Sequence, residues 1–372
     1  MKPLRVIISG GGTGGHIFPA LSIAAKLKET NPQTEILFVG ALGRMEMEKV
    51  PAAGFQIVGL PVAGLQRKLT LSNLALPFKV LKSISMAKKI IREFKPDIAV
   101  GVGGYASAPL LWAASRIGVP TLIQEQNGFA GLTNKILGRR AKKICVAYEG
   151  MERFFPADRI VLTGNPIRKE IVPGTPAMRE EGEKFYGLDP QKKHIFIVGG
   201  SLGSGTLNSA MKKWITDGLP MGDGIDILWQ CGKWYKEGVD SFMASQSQKV
   251  RDVVHHYDFI QRMDLAYAVA DVVISRSGAS SISELCAAGK AAVFVPSPNV
   301  AEDHQTHNAM ALVNKGAGLI VKDAQACDIL MDTACRLVHS PEKRAQMEEN
   351  ILRLARTDAA MDIVKEIYSI LD

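Results

Sequence analysis

The residues most able to do chemistry sit in glycine-rich clusters. Gly10-Gly11-Gly12-Thr13-Gly14-Gly15-His16 follows the apolar run Arg5-Val6-Ile7-Ile8-Ser9 and precedes an amphipathic stretch, so it reads as a strand–turn–helix junction. Glycines there let the backbone come close to a ligand, and the helix start offers unpaired N–H groups and a positive dipole end, a combination suited to a diphosphate. Gly199–Gly205 repeats the pattern after His194–Val198, and Gly101–Ser107 closes another apolar run. Three glycine-rich strand ends in one chain are a stronger phosphate signal than any one alone. The first loop formally contains G-x-G-x-x-G, yet the next predicted strand ends Phe38-Val39-Gly40-Ala41 without the acid a dinucleotide ribose needs, and Glu35 lies at its start. NAD binding is therefore disfavoured; a tight turn that only packs helix on strand is the structural alternative.

Polar side chains gather at other predicted strand ends. Gln124-Glu125-Gln126-Asn127 places amides and a carboxylate where they can read sugar hydroxyls, or can simply cap a loop. Ser201 is suited to a phosphate oxygen or to capping the helix that follows it. Ser275 to Glu284 is a run of small residues, with Ala279, Ser280 and Ser281 opening a helix and Glu284 expected in its first turn. A carboxylate there can accept two hydrogen bonds from a ribose diol, or compensate the helix dipole. Ala301 to Asn308 starts another helix, in which Asp303 reads as an N-cap, while Gln305 and Asn308 are harder to explain by packing. His16 is the leading general-base candidate, because an ordinary imidazole titrates near neutral pH; its structural alternative is a histidine that only orients the glycine loop. Glu125 is the second candidate. No D-x-D motif is present to hold a metal, so no cofactor is expected.

These residues need a scaffold that brings strand ends together. Leu4–Gly10, Glu35–Gly40, Phe55–Pro61, Asp97–Gly103, Thr121–Gln126, Lys143–Tyr148 and Arg159–Gly164 read as strands alternating with helices. The pattern breaks at Thr163-Gly164-Asn165-Pro166 and restarts with His194–Gly200, Asp226–Gly232, Val253–Ile260, Asp271–Ser275, Ala291–Pro296 and Gly318–Lys322. Near-continuous Val/Ile/Leu runs indicate strands buried on both faces, hence parallel α/β sheets. The expected architecture is two doubly wound Rossmann-like domains of GT-B type, over residues 1–165 and 166–356, their strand ends facing a central cleft, with a helix near 357–372 packing back on the first domain. A chain of 372 residues suits two domains, and 47% hydrophobic with 22% charged residues suits two real cores. The five cysteines show no metal or disulfide spacing; Cys145, Cys231 and Cys286 read as small core residues.

As a set, Gly11–His16, Gly101–Ser107, Glu125–Asn127, Thr163–Arg168, Gly199–Ser201, Ser275–Ala279 with Glu284, and Glu302–Ala309 resemble the MurG family of peptidoglycan glycosyltransferases, in the same order from about Val6 to Asn308. The resemblance implies transfer of N-acetylglucosamine (GlcNAc) from UDP-GlcNAc, with inversion, to the 4-hydroxyl of the muramic acid of undecaprenyl-pyrophosphoryl-MurNAc-pentapeptide, lipid I becoming lipid II. It implies a donor site in which the Ile260 backbone meets uracil, Glu284 the ribose diol, Ser201 and Arg168 lie near the diphosphate, and Gln305 and Asn127 read the GlcNAc hydroxyls, with Ala279, Ser280 and Ser281 also at the donor. Thr13, Gly14, Gly15 and His16, with Gly103, Gly104 and Tyr105 beside them, become the acceptor diphosphate site, and Thr13 to Gly15 also border the donor. Leu202 stands where many members have glutamine, as does His304 for some.

The net charge of +8 calls for an anionic partner. No apolar run is long enough to span a bilayer, so any work at a membrane is expected from outside it. Between Leu65 and Lys95, basic residues including Lys79 and Lys82 interleave with Leu74, Phe78 and Leu81, a pattern that suits an anionic membrane surface. A peripheral enzyme on the cytoplasmic face of the bacterial plasma membrane follows as the expectation; an ordinary amphipathic helix facing the core is the alternative. Nucleic acid is not expected as a partner, since aromatic and basic residues do not interleave as such surfaces require. Two rival functions stay open at this point: a UDP-GlcNAc 2-epimerase, and a non-catalytic membrane-associated subunit that keeps a nucleotide-sugar pocket.

Overall fold

The computed structural model describes residues 1–62 and 76–372, with the side chains of residues 76–78 and 301 left aside. The chain divides into two compact units, Met1–Ile167 with Arg356–Asp372, and Arg168–Ala355.

In the first unit the elements run β1 (Arg5–Gly10), α1 (Gly14–Thr30), β2 (Glu35–Ala41), α2 (Glu46–Ala52), β3 (Gln56–Leu60), α3 (Leu76–Phe94), β4 (Ile98–Gly103), α4 (Ser107–Ile117), β5 (Thr121–Glu125), α5 (Leu132–Gly138), β6 (Lys143–Val146) and β7 (Ile160–Leu162). Their seven-stranded sheet has the order β3-β2-β1-β4-β5-β6-β7, and every pairing is parallel. Successive side chains of a strand point to opposite faces. Val6 and Ile8 accordingly join α1 in one apolar cluster, and Ile7 joins α4 in another. The strand order reverses beside β1, which places the turns after β1 and β4 next to each other at the carboxyl end of the sheet. A register shift between Ser9 and Gly10 puts an extra β4 residue at that point, a bulge that re-aims the two strand ends.

The second unit runs α6 (Pro176–Tyr186), β8 (Lys193–Val198), α7 (Gly205–Thr216), β9 (Ile225–Gln230), α8 (Lys236–Ala244), α9 (Gln248–Arg251), β10 (Val254–Tyr257), α10 (Met263–Val269), β11 (Val272–Ser275), α11 (Ala279–Ala288), β12 (Ala292–Phe294), α12 (His304–Val313), β13 (Leu319–Ile320), α13 (Ala326–Val338) and α14 (Pro341–Leu352). Its six parallel strands are ordered β10-β9-β8-β11-β12-β13. Trp229 and Trp214 anchor a core shared by the sheet, α7 and α13. Each strand read from the sequence is present in one of these two sheets.

The last helix, α15 (Ala359–Ser369), belongs to the first unit. Ile363, Val364, Ile367 and Tyr368 enter the same apolar cluster as Ile23, Ala24 and Leu27 of α1, and the Tyr368 hydroxyl donates to the Lys2 carbonyl at 2.9 Å. Arg356 leads into it beside Gly164; a Cβ on Gly164 would lie 2.4 Å from the Arg356 Cβ. Cys145, Cys231, Cys286 and Cys335 are buried thiols, with Cys327 exposed.

A charged cluster closes the amino end of the second sheet. Asp271 accepts from the His194 backbone N–H at 2.9 Å and from Arg179 at 3.2 Å, with Arg344 at 3.5 Å. The His194 ring is fully buried, 3.3 Å from Glu183. Burial, then the Arg179 charge, holds its pKa below the ordinary imidazole value against the opposing pull of Glu183. A folded state that refuses a proton the unfolded chain accepts loses stability as pH falls below about 6.5. The melting temperature is expected to drop between about pH 7.5 and 5.5, and to drop less in His194→Gln. An equal pH dependence in the two proteins, by differential scanning fluorimetry, would remove His194 as its source.

Candidate active site

In the first unit the turns after β1 and β4 meet backbone to backbone. The Gly11 N–H donates to the Gly103 carbonyl at 3.2 Å, and the Ser107 hydroxyl lies 3.0 Å from the Ser9 carbonyl and 2.9 Å from that of Gly103. Gly104 has φ +93°, and a Cβ on it would stand 2.3 Å from the Gly11 oxygen, so only glycine fits. Helix α1 starts here with neither a side-chain cap nor an acid in its first turn. Thr13 and Gly15 are exposed at that end, and Gly14 is partly so.

His16 is half-buried in the first turn of α1, its ring lying against Gly103, where a Cβ would stand 2.8 Å from Nε2. Its Nδ1 is 3.0 Å from the Gly11 carbonyl and 3.4 Å from the Thr13 hydroxyl. A carbonyl can only accept, so this contact assigns the proton to Nδ1 and the basic lone pair to Nε2. Thr13, His16, Gly103 and Gly104 thus form one constellation, with the exposed Tyr105 beside it.

A carboxylate that the sequence reading passed over underlies this loop. Glu46, 1% exposed, accepts from the Gly12 N–H at 2.9 Å and from the Ala41 N–H at 3.0 Å. A Cβ on Gly11 would fall 2.3 Å from its Oε1, and one on Gly40 2.6 Å from its Cγ. The glycines at 11 and 40 therefore make room for Glu46. The available signal is an acid shortly after a buried strand whose penultimate residue is a glycine.

The polar run after β5 turns mostly inward. Glu125 is buried, and its carboxylate accepts from the Asn127 N–H at 3.1 Å, the Gly131 N–H at 3.3 Å and the Asn134 amide at 2.9 Å, with the Asn127 amide at 3.4 Å. Burial raises its pKa, and these hydrogen bonds oppose the rise. Gln126 donates to the Val102 carbonyl at 2.7 Å and contacts Gln124, which donates to Asn165 at 2.9 Å. Of the four residues from Gln124 to Asn127, only Asn127 reaches the surface.

In the second unit the β8–α7 loop packs against the turn after β9. Gly203 (φ +87°) and Gly232 (φ +90°) touch, and a Cβ on Gly203 would stand 2.1 Å from the Cys231 carbonyl oxygen. The cap of α7 is Ser204, whose hydroxyl accepts from the Leu207 N–H at 3.4 Å, and not Ser201, which is exposed within the loop. Gln230, buried at the end of β9, links the Gly200 carbonyl (2.9 Å) to the N–H of Ile260 (3.0 Å), so the Ile260 N–H is already engaged. Arg276 ties three strand ends together through Ser204 (3.0 Å), the Val295 carbonyl (2.9 Å) and Asp323. Neither residue was singled out from the sequence, because a glutamine or arginine at a strand end looks alike whether it braces or binds.

Glu284 departs from its expected place. Helix α11 begins at Ala279, with Ser280 and Ser281 following, and its first turn carries no acid, so Glu284 lies in the second turn and does not serve as a capping carboxylate. Instead Arg168 holds it in a two-pronged pair, Nε to Oε1 and Nη2 to Oε2, both 2.8 Å, and the buried Tyr267 hydroxyl lies 3.3 Å from Oε2. Burial and then the Glu284 charge raise the Tyr267 pKa well above the ordinary phenol value, so this hydroxyl stays protonated and donates. Before α12, Glu302 and Asp303 both adopt left-handed φ (54° and 48°), a strained entry. Asp303 makes no side-chain cap to the backbone; it accepts from the Thr306 hydroxyl at 2.7 Å. Gln305 accepts from the Ser297 N–H at 2.9 Å, and the buried Asn308 donates to the Ser277 carbonyl at 3.3 Å, so Asn308 is explained as a loop brace.

On α3, Lys79, Leu81 and Lys82 are exposed, Leu81 by 65%. Leu74 lies outside the described residues, as does the Phe78 side chain. Among the described residues no helix is long and apolar enough to cross a membrane.

Removing the Glu46 carboxylate strands the buried Ala41 N–H and the partly buried Gly12 N–H. Glu46→Ala is expected to cost about 2–4 kcal/mol in urea denaturation, and Glu46→Gln less, because it keeps one acceptor. Equal stability of Glu46→Ala and the unaltered protein would show that the loop does not rely on this residue.

Residues 6–146 match the family model described as "Glycosyltransferase family 28 N-terminal domain", and residues 194–366 the corresponding C-terminal domain. A protein of Parabacteroides distasonis named UDP-N-acetylglucosamine–N-acetylmuramyl-(pentapeptide) pyrophosphoryl-undecaprenol N-acetylglucosamine transferase is 53% identical over 372 residues, with 100% of both chains covered. The crystal structure of Acinetobacter baumannii MurG matches with a TM-score of 0.79 at 29% identity, covering 99% of this chain and 100% of that one. A UDP-N-acetylglucosamine 2-epimerase structure reaches a TM-score of 0.64 at 14% identity, over 99% of this chain and 96% of that one, a likeness of fold alone. Sheets, loops and these matches together place the chain in glycosyltransferase family 28, with the GT-B fold of two Rossmann-like parallel-sheet domains, and within it in the MurG family.

Proposed function

We propose that the chain transfers GlcNAc from UDP-GlcNAc, with inversion, to the 4-hydroxyl of the muramic acid of lipid I, giving lipid II for peptidoglycan synthesis. One observation carries this reading: the chain matches a transferase of that name along its whole length at 53% identity. The epimerase alternative rests on a fold likeness at 14% identity. A non-catalytic subunit does not account for a histidine whose basic nitrogen is set by a backbone contact in the glycine loop.

In this reading the second unit takes the donor. The Ile260 carbonyl meets uracil, since its N–H already pairs with Gln230, and Glu284 takes the ribose diol. Ser201, Arg168 and the N–H groups at the start of α11 (Ala279, Ser280, Ser281) receive the diphosphate and stabilise its charge as UDP leaves. Gln305 and Asn127 read the sugar hydroxyls. In the first unit, Thr13, Gly14 and Gly15 with Gly103, Gly104 and Tyr105 receive the acceptor pyrophosphate at the amino end of α1. His16 Nε2 takes the proton of the attacking hydroxyl, and the Gly11 carbonyl stabilises the imidazolium through Nδ1–H. Glu125 has three donors within 3.3 Å and braces the loop instead of acting as the base. No resident cofactor enters the scheme. The enzyme works peripherally at the cytoplasmic face of the plasma membrane, with the exposed basic and apolar side chains of α3 against anionic lipid.

Radiolabelled UDP-GlcNAc is expected to yield labelled lipid product and UDP only when a short-chain lipid I analogue is added. Conversion of UDP-GlcNAc to its 2-epimer without acceptor would favour the epimerase, and no turnover of either kind a binding subunit. His16→Ala is expected to lower kcat about 100-fold or more while changing UDP-GlcNAc affinity less than about threefold. Near-normal turnover would take the base role from His16. Leu81→Ser with Lys82→Ser, fold retained, is expected to weaken flotation with anionic vesicles, and undiminished flotation would detach α3 from that role.

A further inference from the structure

Arg168 and Glu284 are paired in a way that bears on which ligands the donor site accepts. The guanidinium meets both carboxylate oxygens side-on, at 2.8 Å each. A ribose 2′,3′-diol presents two O–H donors to a carboxylate along that same edge. Tyr267 holds Oε2 from the buried side, so the carboxylate is fixed while its outer edge is covered. The Glu284 side chain is 10% exposed and that of Arg168 41%, which makes arginine the outer partner and the one a ligand must displace. Arg168 sits two residues beyond Pro166, where the chain enters the second unit, on a long side chain able to change partners.

We propose that Arg168 covers the ribose-binding edge of Glu284 in the nucleotide-free enzyme and exchanges that carboxylate for the diphosphate when donor binds, which makes it a specificity-determining residue selecting nucleoside diphosphates over bare nucleosides. The proposal rests on the reading of Glu284 as the ribose carboxylate. A nucleoside must expel the guanidinium and offers it nothing in return. A nucleoside diphosphate expels it and supplies phosphate oxygens, which suit the same planar fork. After transfer, the carboxylate regains the arginine as UDP leaves, and this return assists product release.

The test is equilibrium binding of uridine and of UDP to the full chain and to Arg168→Ala, Arg168→Lys and Arg168→Ala/Glu284→Gln, with melting curves to verify folding. Arg168→Ala is expected to bind uridine about three- to tenfold more tightly and UDP about tenfold more weakly, opposite shifts that general damage to the site does not produce. Arg168→Lys, whose single ammonium nitrogen cannot reproduce the two parallel bonds of the planar fork, is expected to shift uridine affinity in the same direction and carries the test if the alanine variant does not fold. Unchanged or weaker uridine binding in the single variants overturns the proposal. The double variant separates the two ideas. If it binds uridine more weakly than Arg168→Ala, Glu284 does contact the nucleoside, and a failure of the single variants falls on the arginine exchange alone. If it binds uridine as well as Arg168→Ala, the ribose assignment fails, and the proposal with it.

Discussion

The structure depends on backbone lying directly against backbone at the carboxyl ends of its parallel strands. In the first unit Gly104 rests on the Gly11 carbonyl, and in the second Gly203 rests on Gly232 and the Cys231 carbonyl. A side chain at any of these points would separate neighbouring loops. The bulge between β1 and β4 and the place of His16 against Gly103 lie at that same contact. A parallel sheet supplies the setting, because it brings every strand-to-helix turn of a unit to the same end.

Around these loops the polar residues divide into covered braces and side chains that reach the surface. Glu46, Glu125, Gln126, Gln230 and Arg276 hold loop backbone in place and are mostly covered. Thr13, Tyr105, Asn127 and Ser201 reach the surface. A buried carboxylate is tolerable only when hydrogen-bonded, and both Glu46 and Glu125 meet that condition with backbone donors. Their bonds keep the loop geometry fixed before any ligand arrives, so a ligand need not supply the ordering free energy. The second unit reaches the same end with neutral Gln230 and cationic Arg276, where the first adds two buried carboxylates to its neutral Gln126.

The Arg168–Glu284 pair differs in kind. Its arginine is exposed at the edge of the unit, and its carboxylate is held from behind by a protonated tyrosine. Burial alone would lower the Arg168 pKa, but the Glu284 hydrogen bond and charge outweigh it and leave it raised. A pair that is strong on one side and accessible on the other can exchange partners, whereas the braces cannot.

How much of this was legible beforehand follows from the range of the interactions involved. Apolar runs such as Val6–Ile8 and Ile195–Val198 fix strands locally, since burial on both faces demands them, and the glycine clusters mark strand ends because no other residue permits such approach. The positions of the strands, two units, phosphate-type loops and the family resemblance were therefore available from the sequence by itself. It did not distinguish a carboxylate that braces from one that binds. Glu46 meets the Gly12 N–H, 34 residues away in sequence, only through folding, Glu125 is bonded within its own loop in a way residue type does not mark, and Glu284 looked like a first-turn helix acid until the start of α11 placed it in the second turn. Strand order, the β1–β4 bulge and the capture of Glu284 by Arg168, 116 residues away in sequence, were decided by tertiary structure alone, because each depends on which segments become neighbours in space.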